Sequence, residues 1–363
     1  MSMTKCIVVA GGGTGGHVYP VLAVLDELSS FRVVWIGSGS ELERRILEGR
    51  GLSYYGIPTG KLRRYFSLRN IVDLFKIVFG FIASLAILLR EKPQLVFSKG
   101  GYVSVPPLAA ARCLRIPALT HESDLRPGLA TRINARFSDR ILVSFPTSSD
   151  YFDHRFRAKV VHTGNPVRRM VLAGDSAKGR ELVGCPAGTA LLLVLGGSLG
   201  SASINRTVLQ ALDRLSTACF VVHQLGSEHF RGGLVSRGNN YYPAAYFYEE
   251  LPHLLAAADL VVCRAGANTL WELAALGKPS VLIPLPRRIS RGDQIENARF
   301  FSDAGAAIVL EQEGLTPEGL IEVVLHLLGN ADKLERMAKR ASDLGRPNAA
   351  LEIARLIRRV ARY

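Results

Sequence analysis

Three glycine-containing turns, two histidines, several carboxylates and one lysine stand where apolar runs of strand character end, and these are the residues best placed for chemistry. Gly11-Gly12-Gly13-Thr14-Gly15-Gly16-His17 closes the run Lys5 to Ala10 and opens a helical pattern from about His17 to Ser29. Glycines let backbone come close to a ligand, and a helix start presents unpaired N–H groups, which suits a phosphate. The same turn also serves simple packing of helix on strand. No Gly-Lys-Ser/Thr follows it, which excludes a Walker loop. The second strand ends Ile36-Gly37-Ser38-Gly39, without the acid that a dinucleotide fingerprint sets on a ribose. His17 falls in the first helical turn, where the dipole disfavours the imidazolium. A neutral ring there serves as a proton acceptor or as a structural donor.

Two further strand ends add groups to the same sheet edge. Ser98-Lys99-Gly100-Gly101-Tyr102 pairs a flexible turn with a cation, and with the first turn it is suited to clamping a pyrophosphate. His121-Glu122-Ser123-Asp124 brings an imidazole and two carboxylates, although Asp124 ahead of Pro127 also reads as a helix cap. Convergence of three strand ends on one edge is the arrangement of ligand sites in open α/β sheets.

The pattern restarts downstream. The apolar run Ala190 to Leu195 leads into Gly196 to Gly200 and a helix from about Ala202 to Leu215. Cys263-Arg264-Ala265-Gly266-Ala267-Asn268-Thr269-Leu270-Trp271-Glu272 then delivers small residues to a helix start, so the amides of Ala267, Asn268 and Thr269 can receive a diphosphate. Glu272, one turn on, can reach a ribose diol with both oxygens, or simply complement the helix dipole. In the polar loop 291–297, Gln294 suits hydrogen bonds to sugar hydroxyls.

These residues require two parallel α/β domains to position them. Strand candidates at Arg32 to Ile36, Leu95 to Phe97, Ala118 to Thr120, Ile141 to Val143 and Val160 to Thr163 belong to the first; Cys219 to Gln224, Leu260 to Cys263 and Ser280 to Ile283 belong to the second. The expected division is one α/β domain over 1–165 and a second over 166–345, with a closing helix in 346–363 packing back on the first. A length of 363 residues with 48% hydrophobic and 21% charged residues fits two globular domains and not bulk disorder. Five cysteines without a CxxC pair argue against a disulfide framework or structural zinc, and point to a reducing cytoplasm.

A net charge of +14 calls for an acidic partner, whether nucleic acid, an anionic membrane or a phosphorylated substrate. Lys61-Leu62-Arg63-Arg64-Tyr65-Phe66, followed by Ile71, Leu74, Phe75, Val78, Phe79 and Ile82 at helical spacing, joins a basic cluster to an apolar stripe and suits either core packing or an anionic lipid surface. The long apolar stretch Ile77 to Leu89 is thirteen residues, short of the ~20 needed to span a bilayer, so a buried or interfacial helix is expected there.

Taken together, Gly11 to Pro20, Lys99 to Pro106, His121 to Gly128, Thr163 to Arg168, Gly196 to Asn205, Val261 to Glu272 and Asp293 to Ala298 closely resemble the MurG family of bacterial glycosyltransferases, over nearly the whole chain. The resemblance implies the GT-B fold, two facing Rossmann-like domains with a cleft between them, of which the first is the acceptor and membrane-binding domain and the second the nucleotide-sugar domain. It implies inverting, metal-independent transfer of N-acetylglucosamine from UDP-N-acetylglucosamine to the C4 hydroxyl of a lipid-linked muramyl-pentapeptide, with no cofactor. It further implies a peripheral place on the cytoplasmic face of the cell membrane, other cell-wall synthesis proteins as further partners, and no nucleic acid. By the same likeness Glu272 binds ribose, Ser198 and the helix start near Ala267 meet the diphosphate, and backbone around Tyr248 meets uracil. Gln294 contacts the sugar, while Thr14, Gly15, Gly16, Asp124, Asn165 and Arg168 line the cleft, with Gly101 and Tyr102 on the second glycine turn. Members often carry Asn where this chain has Asp124, and Gln where it has Ser123, Leu199 and Asp293.

The chemistry expected is a single displacement in which a base takes the C4 hydroxyl proton while the diphosphate departs, its charge received by helix amides and Arg168. His17 is the first choice of base, with Glu122 or Asp124 second. The rival readings are a UDP-N-acetylglucosamine 2-epimerase and a non-catalytic nucleotide-sugar-binding subunit; a nicotinamide oxidoreductase is more distant. The patch from Lys61 to Leu89 argues against the epimerase, and the His17 and His121 to Asp124 groups argue against the binding subunit.

Overall fold

Apolar runs such as Cys6–Ala10 and Leu191–Leu195 are buried at every position. That uninterrupted burial belongs to strands covered on both faces, as parallel sheets are. The computed structural model describes residues 5–12, 15–60, 68–197, 199–230 and 240–361. It divides into one unit formed by Met1–Arg168 with Asn348–Tyr363 and another formed by Arg169–Pro347.

In the first unit the strands are β1 (Cys6–Ala10), β2 (Arg32–Gly37), β3 (Ser53–Gly56), β4 (Leu95–Ser98), β5 (Ala118–Glu122), β6 (Arg140–Val143) and β7 (Val160–His162). They form one parallel sheet in the order β3-β2-β1-β4-β5-β6-β7. The second unit holds β8 (Leu191–Leu195), β9 (Phe220–Gln224), β10 (Tyr241–Ala244), β11 (Leu260–Cys263), β12 (Ser280–Leu282) and β13 (Ala307–Val309). These are also parallel, in the order β10-β9-β8-β11-β12-β13. The chain therefore has the paired parallel α/β units of the GT-B class. Strands β3, β10 and β13 lack a strong sequence signal: each is short, β3 and β10 carry polar or glycine residues, and pairing with an inner neighbour defines them.

Each sheet reverses its winding once, between β1 and β4 in the first unit and between β8 and β11 in the second. The glycine turns seen in sequence after β1, β4 and β8 fall at these switch points, where strand ends leave an open crevice.

The closing helix Ala349–Val360 is positioned by its own periodicity. Ala350, Ile353, Ala354 and Ile357 are spaced to share a face, and they pack into the core built by Ile7, Val9, Val18, Val21 and Leu22. Burying each isoleucine contributes about 1.5–3 kcal/mol, and Arg358 adds a hydrogen bond to the Glu27 carbonyl.

The helix Leu68–Glu91 corrects the sequence expectation about length. It has 24 residues, and Val72–Glu91, 20 residues of mean hydropathy 2.2, is by length and composition apolar enough to cross a membrane. The apolar stripe continues past Lys76 and Asp73 because Asp73 lies on the protein side of the helix, where it is buried. Ser84 and Leu88 are buried on that side, and a Cβ at Gly80 would lie 2.3 Å from the Pro58 carbonyl oxygen. Val72, Leu74, Phe75, Val78, Phe79 and Ile82 are all exposed, Phe75 and Phe79 by 61% and 60%. One face is thus covered by the chain and the other is apolar and bare. The basic cluster at 61–66 lies outside the described residues.

Candidate functional site

The first unit presents its chemistry at the ends of β1, β4 and β5. Leaving β1, the Gly11 carbonyl accepts from Trp35 Nε1 at 2.9 Å, which anchors the turn. A Cβ at Gly12 would stand 2.4 Å from Glu43 Oε1, so this turn lies directly on a buried carboxylate. Glu43 is held there by Ser38 N at 2.8 Å, Ser38 Oγ at 2.6 Å and Tyr54 OH at 3.0 Å. The acid missing from the end of β2 is therefore supplied by the next helix, Glu41–Glu48. The signal for that helix start was Ser40-x-x-Glu43, and Ser40 Oγ does accept from Glu43 N. Thr14 lies outside the described residues. Gly15 and Gly16 begin the helix Gly15–Leu25.

His17 sits in that first turn, half-buried. A Cβ at Gly101 would be 3.5 Å from its Nε2, so the ring abuts the second glycine turn. Burial first, and then the charge of Lys99, hold the imidazole pKa below its ordinary value. Gly100 and Gly101 have φ of 81° and 78°, conformations that only glycine adopts without strain. Tyr102 follows, half-buried, and desolvation raises its phenol.

Lys99 does not face a ligand as the sequence suggested: it is 1% exposed, with its ammonium turned into the protein. Nζ lies 3.0 Å from His121 Nδ1 and 3.1 Å from Asn165 Oδ1, and donates to Ser123 Oγ. Glu122 is likewise engaged. Its Oε1 accepts from the backbone N–H of Ser123 at 2.9 Å and of Asp124 at 3.1 Å, and its Oε2 from Gly128 N at 3.0 Å. Three backbone donors make this carboxylate the clasp of the loop after β5. Asp124 is half-buried on that loop. Asn165 is fully enclosed, and the Arg168 guanidinium stacks 5.5 Å from the Tyr19 ring centroid.

In the second unit the helix Ala267–Ala275 begins at Gly266 with no side-chain cap. Its first amides, those of Ala267, Asn268 and Thr269, thus meet no capping oxygen from the Gly266 position, and Glu272 stands half-buried one turn later. Ser198 lies outside the described residues; its neighbour Gly197 is held by Gln224 Nε2, which donates to the Gly197 carbonyl at 3.1 Å. Gln224 Oε1 accepts from Phe247 N at 3.1 Å, fixing the segment on which Tyr248 is 71% exposed. Gln294 Oε1 accepts from Leu285 N at 3.1 Å, which leaves the NH2 as the other end of the amide. Next to it, Asp293 Oδ1 is buried with no hydrogen-bond partner.

Sequence reasoning missed two organisers here, Gln224 and Arg264. Arg264 donates to Ser201 Oγ at 2.6 Å, Gln312 Oε1 at 2.6 Å and the Ile283 carbonyl at 2.9 Å, tying the helix Ala202–Ala218 to the strand ends. Both residues close the ends of strands, and position after a strand was the available signal.

Burial lowers the pKa of His17, His121 and His223, that of His223 to about 3. Each takes up a proton on unfolding once the pH falls below 6.5, so the unfolded chain binds more protons there and acid favours it. Chemical denaturation at stepped pH is expected to show stability falling steadily below pH 6.5, and His223→Gln is expected to flatten that fall.

Comparison with known proteins agrees with this architecture. Residues 7–143 match the glycosyltransferase family 28 N-terminal domain and residues 191–353 the glycosyltransferase family 28 C-terminal domain. The chain is 44% identical to the UDP-N-acetylglucosamine–N-acetylmuramyl-(pentapeptide) pyrophosphoryl-undecaprenol N-acetylglucosamine transferase of Treponema denticola, with 96% of each chain covered. Among solved structures it is similar to MurG of Acinetobacter baumannii, with a TM-score of 0.77, 29% identity and 98% and 99% of the two chains covered. The UDP-GlcNAc 2-epimerase of Neisseria meningitidis shares the fold, with a TM-score of 0.71 at 17% identity and 98% and 100% coverage.

Proposed function

Because the chain belongs to the MurG family within glycosyltransferase family 28, we propose that it transfers N-acetylglucosamine from UDP-N-acetylglucosamine to the C4 hydroxyl of undecaprenyl-pyrophosphoryl-N-acetylmuramyl-pentapeptide in peptidoglycan synthesis. The observation that carries this reading is 44% identity spanning 96% of both chains with a transferase of that name. The likeness to the epimerase at 17% identity is one of fold and does not favour that alternative.

The second unit is the donor half. Amides of Ala267 to Thr269 at an uncapped helix start receive the diphosphate and stabilise it as it leaves. Glu272 accepts both ribose hydroxyls, the exposed Tyr248 segment receives the uracil, and Ser198 joins the diphosphate contacts. The Gln294 amide donates to the sugar, and Asp293 Oδ1 accepts from one of its hydroxyls, which gives that buried oxygen a partner.

The first unit is the acceptor half. Thr14, Gly15, Gly16, Gly101 and Tyr102 form the turns that meet the acceptor's pyrophosphate, with Asp124, Asn165 and Arg168 around them. His17 takes the hydroxyl proton. Asp124 is the second candidate for that role, because Glu122 spends its carboxylate on three backbone amides. The displacement inverts the anomeric centre, and fixed N–H groups supply the charge stabilisation for which other transferases use a metal. A transfer assay with a short-chain acceptor analogue and excess chelator is expected to yield disaccharide. Donor binding without product would move the assignment to a binding subunit, and release of the 2-epimer to an epimerase.

The bare apolar face of Leu68–Glu91, including Leu74, Phe75, Val78 and Phe79, docks the chain as a peripheral protein on the cytoplasmic leaflet. A helix with one face packed on its own protein lies along a membrane and does not cross it. Anionic vesicles are expected to sediment the protein more strongly than zwitterionic ones. The double change Phe75→Glu and Phe79→Glu is expected to abolish sedimentation and leave transfer to a water-soluble acceptor intact; unchanged sedimentation would remove this face from the interface.

A further inference from the structure

Lys99 is enclosed at the centre of the acceptor half, and its hydrogen bonds fix its charge. His121 Nε2 lies 2.9 Å from the Gly164 carbonyl, an acceptor, so the ring proton is on Nε2 and Nδ1 can only accept. Ser123 Oγ gives its own proton to Asn165 Oδ1 at 3.1 Å, which leaves a lone pair for Lys99. The amide oxygen Asn165 Oδ1 is the third acceptor. Three acceptors demand three N–H donors, and only the ammonium has them. A neutral amine would lose one bond and bury a lone pair with no donor facing it. None of the three direct partners carries a charge.

The same residue lines the pocket of His17. Its backbone hydrogen-bonds to the His17 ring, and its side chain begins beneath Gly11, whose Cβ position would be 3.9 Å from Lys99 Cβ. Among the described residues, the other charged groups that act on His17 are Glu122 at the end of β5 and Glu43 on the helix Glu41–Glu48, both negative. Lys99 is therefore the cation set against two carboxylates around this ring.

We propose that Lys99 is a positioning residue for the transfer reaction: its ammonium ties together the ends of β5 and β7 through His121, Ser123 and Asn165, and offsets Glu122 and Glu43 so that His17 remains a free proton acceptor. The inference rests on the reading of His17 as the base. Removing the cation leaves the two carboxylates to favour the imidazolium, so the sign of the effect is a rise in the His17 pKa. Burial in turn holds the Lys99 pKa down to about 8, so the device is expected to lapse at higher pH.

The test compares wild type with Lys99→Met and Lys99→Gln. Both remove the charge, and Gln keeps two N–H donors for the buried acceptors. The acid limb of kcat/KM is expected to move up by about one pH unit in both variants. The His17 ring signal, assigned with His17→Ala and followed by NMR, is expected to titrate higher by the same amount. A purely structural role would lower kcat without moving either titration, and Gln would then restore activity; that result would overturn the proposal. If the NMR titration moves but the kinetic limb does not, the electrostatic role of Lys99 holds and His17 is not the base. If neither moves in a folded variant, the inference is wrong.

Discussion

Replacing His17 by Ala is expected to lower kcat by about 10²- to 10⁴-fold, the usual contribution of a positioned base. The ring occupies the first turn of Gly15–Leu25 against Gly101, half-buried, with its proton affinity reduced by burial and by Lys99. A base works in its proton-free form, so the acid limb of the wild-type profile is expected below the ordinary value of 6.5. In His17→Ala that limb disappears along with the rate. Donor affinity, measured by calorimetry with UDP, is expected to stay at the wild-type value because the residues proposed to hold the donor lie in the other unit. Wild-type turnover in His17→Ala, combined with a collapse in Asp124→Asn, would transfer the role of base to Asp124.

The second large effect is expected at Glu272. Two charge-assisted hydrogen bonds from a ribose diol to one carboxylate contribute about 1.5–3 kcal/mol each, so Glu272→Ala is expected to raise the donor KM by roughly 10²-fold or more. A donor lacking the ribose 2′-hydroxyl separates this contact from general damage. Wild type is expected to lose affinity for that donor, and Glu272→Ala to treat the two donors alike, because the partner is already gone. Additive losses would show that Glu272 acts only on the dipole of its own helix. Thermal unfolding of the variant is expected within a few degrees of wild type, since the side chain is half-exposed and Leu270, Trp271 and Leu273 carry the packing.

Much of the backbone around the candidate sites was legible in the sequence, because it depends on local residue type. Glycines at Gly100 and Gly101 announce positive φ, and small residues ahead of Ala267 announce a helix start without a cap. Each follows a strand whose unbroken apolar run announces a buried parallel sheet. Order along the chain then fixes which strand end carries which group. The reach of the helix Leu68–Glu91 was less legible, because Asp73 interrupts the apolar run in sequence yet lies on the buried side of the cylinder, while Lys76 is a single exposed cation among apolar neighbours.

What the tertiary structure alone decided is where side chains of similar chemistry point. Lys99 and Glu122 read in sequence as a ligand-facing cation and a candidate base. Packing turns the first inward onto His121, Ser123 and Asn165 and closes the second on three backbone amides. Glu43, far in sequence from the Gly11 to Gly16 turn, is carried beneath Gly12 by the crossover after β2. Residue type and spacing set the local backbone and hence the sites on each strand end. Burial, by removing water as a competing partner, decides which charged groups bind one another and which remain free for a substrate.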